Sequence, residues 1–188
     1  MAENWMERLP ELGWLEDRTL RACCEAAFAK ACREGGWTPE DLDNIPMTLG
    51  FAYAPSLRTH IRAVACLAHQ TYATLVAIHG NNPRLLPDYP TLMAGALLHD
   101  VGKLLEYTRT PEGTYAFSQK GLLLRHPFSG AILAAQCGLP DTVTHIIAVH
   151  AREGSANPRT VEAQIVNKVD LLHFESVRQM LADAADNA

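Results

Sequence analysis

The sequence predicts an all-α domain, and three observations carry that prediction. Apolar residues recur at three- and four-residue spacing in segment after segment. Glycines and proline-rich connectors mark where those segments stop. Convincing strands are almost absent. The chain has 188 residues, enough for one domain of ordinary size with its own core. Its 48% hydrophobic and 20% charged residues are globular proportions and exclude global disorder.

In chain order, residues 15–34 read as a helix stopped by Gly35-Gly36. Trp37 to Pro55 holds three prolines and reads as a connector. Residues 56–79 place Leu57, Ile61, Val64, Leu67, Leu75 and Val76 at helical period, closed by Gly80. After a second proline-rich loop, residues 91–107 read as the clearest amphipathic helix. Residues 108–118 look like a short hairpin around Pro111-Glu112-Gly113, and 108–120 as a flap able to cover a site. Two helices, 127–137 and 141–151, are broken at the CGLPD segment, and 160–182 forms a last long helix with a frayed tail, ADAADNA. Trp5, Trp14 and Trp37 all lie early. The expectation is a single domain, 1–188, in which a helical cap (about 1–54) packs on a core (about 55–182).

The 16 Lys and Arg against 21 Asp and Glu give a formal charge of −5, a poor match for nucleic-acid duplexes. The longest charge-free run, Ala63 to Pro83, contains His69, Gln70, Thr71, Thr74 and His79 and reads as too polar for a membrane span. Five cysteines, an odd number without a CxxC pair, support neither a disulfide framework nor a metal knuckle. The N-terminus carries early acids and no apolar signal region. A reduced, cytoplasmic protein is expected.

The informative residues are polar groups where the helical pattern asks for apolar ones. Asp100 falls on the stripe Met93, Ala96, Leu97, Leu104, with His99 beside it. His60 falls among Leu57, Val64 and Leu67, His150 among Val143, Ile146 and Ile147, and Asp170 among Val166, Phe174 and Val177. A buried carboxylate without a partner is very costly, so these groups need a salt bridge, a proton or a metal. One core histidine alone is more often simply hydrogen-bonded. Four helices that each point a His or Asp inward are how bundles build metal sites. His126, just before Pro127 at a helix entrance, is a fifth candidate beside the reading of a surface-loop histidine.

In this order, His60, His99-Asp100 and Asp170 resemble the HD-domain superfamily of metal-dependent phosphohydrolases. ALLHDVGK (96–103) is similar to that family's central motif, THIRAVACLA (59–68) to its first-histidine helix, and NKVDLLHFE (167–175) to its closing aspartate helix. HPFSGA (126–131) and IIAVH (146–150) resemble the subset with two further histidine ligands and a dinuclear site. That subset includes cyclic-dinucleotide phosphodiesterases of the HD-GYP type and di-iron oxygenases that cleave C–C or C–P bonds. After His150 this chain has Ala151-Arg152-Glu153-Gly154 and no Gly-Tyr-Pro element, which speaks against cyclic-dinucleotide cleavage. The resemblance implies an all-α core and a tendency to homodimerise. It also implies one or two divalent ions on His60, His99, Asp100, His126, His150 and Asp170.

Imidazoles and carboxylates suit Fe, Mn, Co, Ni or Zn, with Mg as a further candidate. Asp100 is the natural bridge between two ions. Two divalent ions outweigh two aspartates, and the surplus positive charge suits a phosphate ester. The leading function is therefore a phosphohydrolase that acts on a nucleotide or phosphorylated metabolite through a metal-activated water, with Asp100 and Lys103 as its catalytic residues. A di-iron oxygenase using the same ligands is the rival, and a non-catalytic nucleotide-binding module a third reading. Lys103 reads either as a phosphate-binding or leaving-group lysine or as a solvated helix lysine. Arg125, beside His126, is the favoured arginine for substrate.

Overall fold

The computed structural model describes residues 4–186. Its architecture follows from where helix signals start and stop. A short helix α1 (Trp5–Arg8) and a 3-10 turn at Pro10–Trp14 lead into α2 (Arg18–Gly35). The Asp17 side chain caps α2 by accepting from the Thr19 and Leu20 amides, and Gly36 closes it at φ 75°. The connector contains a second 3-10 turn, Pro39–Asp43. Beyond it the loop 46–56 is pinched by an antiparallel bridge between Pro46 and Ser56.

Ser56 caps α3 (Leu57–His79) and Asp88 caps α4 (Tyr89–Leu98). After a turn come α5 (Lys103–Glu106) and a hairpin of β1 (Tyr107–Arg109) and β2 (Tyr115–Phe117), paired Tyr107 to Phe117 and Arg109 to Tyr115. Then follow α6 (Gln119–Leu123), α7 (His126–Gln136), α8 (Asp141–Val149) and α9 (Val161–Asp186).

The mostly helical fold agrees with the all-α expectation, and the hairpin is its only sheet among the described residues. Four local readings need correction. Residues 91–107 are not one amphipathic helix. The α4 helix ends at Leu98, is buried on every side from Leu92 to Leu98, and packs against α2, α3, α8 and α9. A helix that is apolar all round belongs at the centre of a bundle. Second, α6 was not foreseen. Third, the tail expected to fray is helical as far as Asp186, and its last two residues lie outside the described ones. Fourth, α3 reaches a mean hydropathy of 1.3 and has the length and composition of a membrane span, despite its polar residues. Here it packs against α4 and α9 and carries His60 inward.

Trp5, Leu9, Leu12, Phe28 and Leu42 from the first 54 residues join Leu97, Ile146 and Val166 in one continuous buried cluster. The metal-ligand candidates stand at the edge of that cluster, at the ends of α4, α7 and α8 and on α3 and α9.

Candidate metal centre

The centre is built around the turn that ends α4. His99 is the last residue held in helical geometry, and amide bonds from Val101 to Leu98 O, Lys103 to Asp100 O and Leu104 to Val101 O tighten the chain. This turn, and not a continuing helix, aims Asp100. Gly102 makes it fit, because a Cβ there would lie 2.1 Å from the His126 carbonyl oxygen and 2.8 Å from the Gly130 amide. The first turn of α7 is thereby brought against the turn that carries Asp100.

All six predicted ligands converge, as two trios. His60, His99 and Asp170 form one, and Asp100, His126 and His150 the other; within each trio the ligand atoms lie within 4.8 Å of one another. Asp100 faces both. Its Oδ2 is 3.2 Å from His60 Nε2 and 3.4 Å from His99 Nε2, while its Oδ1 is 3.3 Å from His126 Nε2 and 3.6 Å from His150 Nε2. His60 Nε2 lies 3.1 Å from Asp170 Oδ1 and 3.2 Å from His99 Nε2.

The back of each imidazole is held. His99 Nδ1 donates to Ala96 O at 2.7 Å and His150 Nδ1 to Ile147 O at 2.8 Å. A carbonyl can only accept, so both Nδ1 atoms carry the proton, and in the neutral rings Nε2 presents its lone pair to the site. His126 Nδ1 sits 2.7 Å from Glu106 Oε2, and His60 Nδ1 2.9 Å from His173 Nδ1. Asn167 Nδ2 donates to the His150 carbonyl at 2.6 Å and fixes the end of α8. Partners of this kind orient metal-binding histidines. Glu106, His173 and Asn167 were not singled out from the sequence.

Electrostatics reinforce the geometry. Burial would raise the Asp100 carboxyl, but the Lys103 charge first, then His99 and the neighbouring His150 and His60 rings, hold it well below the usual range. Asp170 likewise drops to about 2, its burial outweighed chiefly by the His60 hydrogen bond. Burial works against charge on His60, yet Asp100 and Asp170 push its pKa up. His126 goes down, mainly through burial. His173 falls to about 4 through burial and the neighbouring His60.

Lys103 is not a solvated helix lysine. It is buried, its Nζ is 2.6 Å from Asp100 Oδ2, and it donates to the Met47 carbonyl at 2.5 Å. Burial lowers its pKa, but Asp100 raises it by more. Arg125 reaches the site edge with its charge already engaged: two of its nitrogens lie 2.9 and 3.0 Å from Glu106 Oε1, and a third 3.7 Å from Glu153.

The site suits a divalent ion on two counts. Asp100 Oδ2 is buried and paired with Lys103, and on its other side it faces His99 Nε2, which in the neutral ring carries no proton to donate; a metal between the two would satisfy both. The closest ligand atoms are 3.1 to 3.4 Å apart. Two ligands about 2.1 Å from one ion are spaced at about 3.0–3.4 Å in octahedral or tetrahedral geometry. A cavity of about 380 Å³ opens onto Asp100, His126, His150 and Asp170 from between the 48–50 loop, the hairpin and α9. Phe117 of the expected flap lines it, whereas the turn at 111–113 does not.

An all-α domain that converges four histidines and two aspartates in two adjacent sets has the arrangement by which helical bundles build metal sites. The chain belongs to the HD domain family, whose model matches residues 57–175, more than half of its length. That membership places it in a superfamily of metal-dependent phosphohydrolase type. No curated protein and no solved structure matches it.

Proposed function

We propose that this protein hydrolyses a small phosphate ester, a nucleotide or a phosphorylated metabolite, with a metal-activated water. The observation that carries the reading is Asp100, whose Oδ2 faces His60 and His99 and whose Oδ1 faces His126 and His150 above one cavity. Divalent ions held by His60, His99 and Asp170 and by Asp100, His126 and His150 would polarise a phosphate oxygen and acidify a bound water. Candidate ions are Fe, Mn, Co, Ni or Zn, with Mg less favoured by imidazole ligands.

The chain's own residues prepare that chemistry. Lys103 keeps Asp100 ionised and sets a cation on the cavity wall. The Nδ1 contacts of His99 and His150 leave their Nε2 atoms facing inward. Phe117, Leu171 and Phe174 give the cavity an apolar flank.

Phosphate release from a panel of monoesters and diesters, with protein loaded with Mn²⁺ or Co²⁺, tests the reading. Release is expected, and Asp100→Ala should reduce it to background while the helical circular dichroism remains. The second reading is a di-iron oxygenase, motivated by His126 and His150. Two irons per chain in protein purified without added metal, with O₂ consumed and no phosphate released, would replace the hydrolase by the oxygenase.

A further inference from the structure

His126 differs from the other ligand histidines in how its ring is held. His99 and His150 stand at the C-terminal ends of α4 and α8, so each Nδ1 donates to the carbonyl three residues earlier in its own helix. His126 is the first residue of α7. It has no preceding helical turn to offer a carbonyl. Its partner comes from twenty residues upstream: Glu106 Oε2 accepts from the His126 amide at 2.5 Å and from its Nδ1 at 2.7 Å, while Oε1 takes Arg125 Nε at 3.0 Å.

We propose that Glu106 is the positioning residue for the Asp100–His126–His150 metal site, through its grip on both the backbone amide and the ring of His126. The proposal rests on the two-metal reading above. Glu106 is 1% exposed, and a buried carboxylate is costly unless several donors meet it. Arg125 alone does not account for it, since that side chain is 42% exposed and reaches water. The carboxylate also meets an amide at the positive end of α7, a helix that no side chain of its preceding residue caps. The backbone holds Glu106 in place. Its carbonyl accepts from the Ser118 amide, and Gly121 packs so closely that a Cβ there would lie 2.3 Å from that oxygen. A ring fixed by a carboxylate on Nδ1 is a more basic and better aimed ligand at Nε2.

The test titrates metal-stripped, full-length protein with Co²⁺, following ligand-field absorption and bound cobalt per chain. Wild type should take up two ions. Glu106→Gln keeps the size of the side chain but replaces an acceptor oxygen by an amide that faces donors. It should weaken one site by about 10- to 100-fold, the range for outer partners of metal ligands, and leave the other within about twofold. Glu106→Asp, which keeps the charge, should recover part of the loss. Thermal melts show that each variant is folded. Two unchanged sites in Glu106→Gln overturn the proposal, and so does equal weakening of both, which is the signature of a general packing defect. Uptake of a single ion by wild type overturns the two-metal reading and the proposal together, so the two failures are distinguishable.

Discussion

Two arginines face the cavity, and their surroundings differ. Arg125 is tied to Glu106 and Glu153, so less of its charge is available to a ligand. Arg152, exposed in the turn after His150, also lines the cavity, and its side chain makes no ion pair or hydrogen bond among the described residues. In the proposed function, a phosphate oxygen in the cavity would meet Arg152 with its side-chain donors free. Arg152→Ala is expected to raise KM for the phosphate ester about tenfold with little change in kcat, the scale of one charge-assisted hydrogen bond. Arg125→Ala should act mainly by loosening Glu106. A KM raised by Arg125→Ala and untouched by Arg152→Ala would return the binding role to Arg125. Four of the six candidate ligands, His60, Asp100, His150 and Asp170, were legible because each puts a polar group on an apolar stripe; His99 stood beside Asp100, and His126 showed only as the residue before Pro127 at a helix entrance. Glu106 was not legible, because an acid within the run LLEY looks ordinary until a chain segment twenty residues away supplies its donors. His173 did leave a trace, one turn beyond Asp170 on the same helix, but nothing in the sequence tells which way its ring faces.

At the level of elements, the turn between α4 and α5 decides the site, and the sequence pattern conceals it. Ala96, Asp100 and Leu104 fit one helical stripe although they belong to two helices and the turn between them. Periodicity detects burial, and all three are buried, so the break leaves no mark in it. Gly102 was the available clue, and its substitution separates the two descriptions by sign. In a continuous helix Gly102→Ala would stabilise by up to about 1 kcal/mol. In this fold the added Cβ meets backbone of α7 that cannot swing aside, and the expected result is a loss of about 1–3 kcal/mol. Urea unfolding of the variant checks it, and a midpoint at or above wild type would restore the continuous helix. The α6 helix escaped notice because five residues hold barely one period. The α9 helix runs past its expected end because alanine sustains a helix where no partner does.

For the whole molecule, the open question is whether the N-terminal segment is a detachable cap or part of the body that holds the site. It contributes Trp5, Leu9, Leu12, Leu15, Phe28 and Leu42, all nearly fully buried, to the same cluster as Leu97 and Ile146. A side chain of this kind contributes roughly 1.5–3 kcal/mol on burial. Six of them, about 9–18 kcal/mol, are comparable with the whole net stability of an ordinary domain, about 5–15 kcal/mol. The segment also reaches the site by polar contacts. Trp37 Nε1 donates to the Leu104 carbonyl at 2.8 Å, and the Met47 carbonyl accepts from Lys103. A chain restricted to residues 55–188 holds every ligand candidate, yet it would expose the apolar faces of α3 and α4 and lose an anchor of Lys103. It is expected to lack a cooperative thermal transition and to bind Co²⁺ no better than an unfolded chain. Circular dichroism melts and cobalt uptake of that fragment decide the matter. A sharp melt with two ions bound would make the first 54 residues an accessory to a self-sufficient core, and the family match over 57–175 would then mark a folding unit as well as a sequence one.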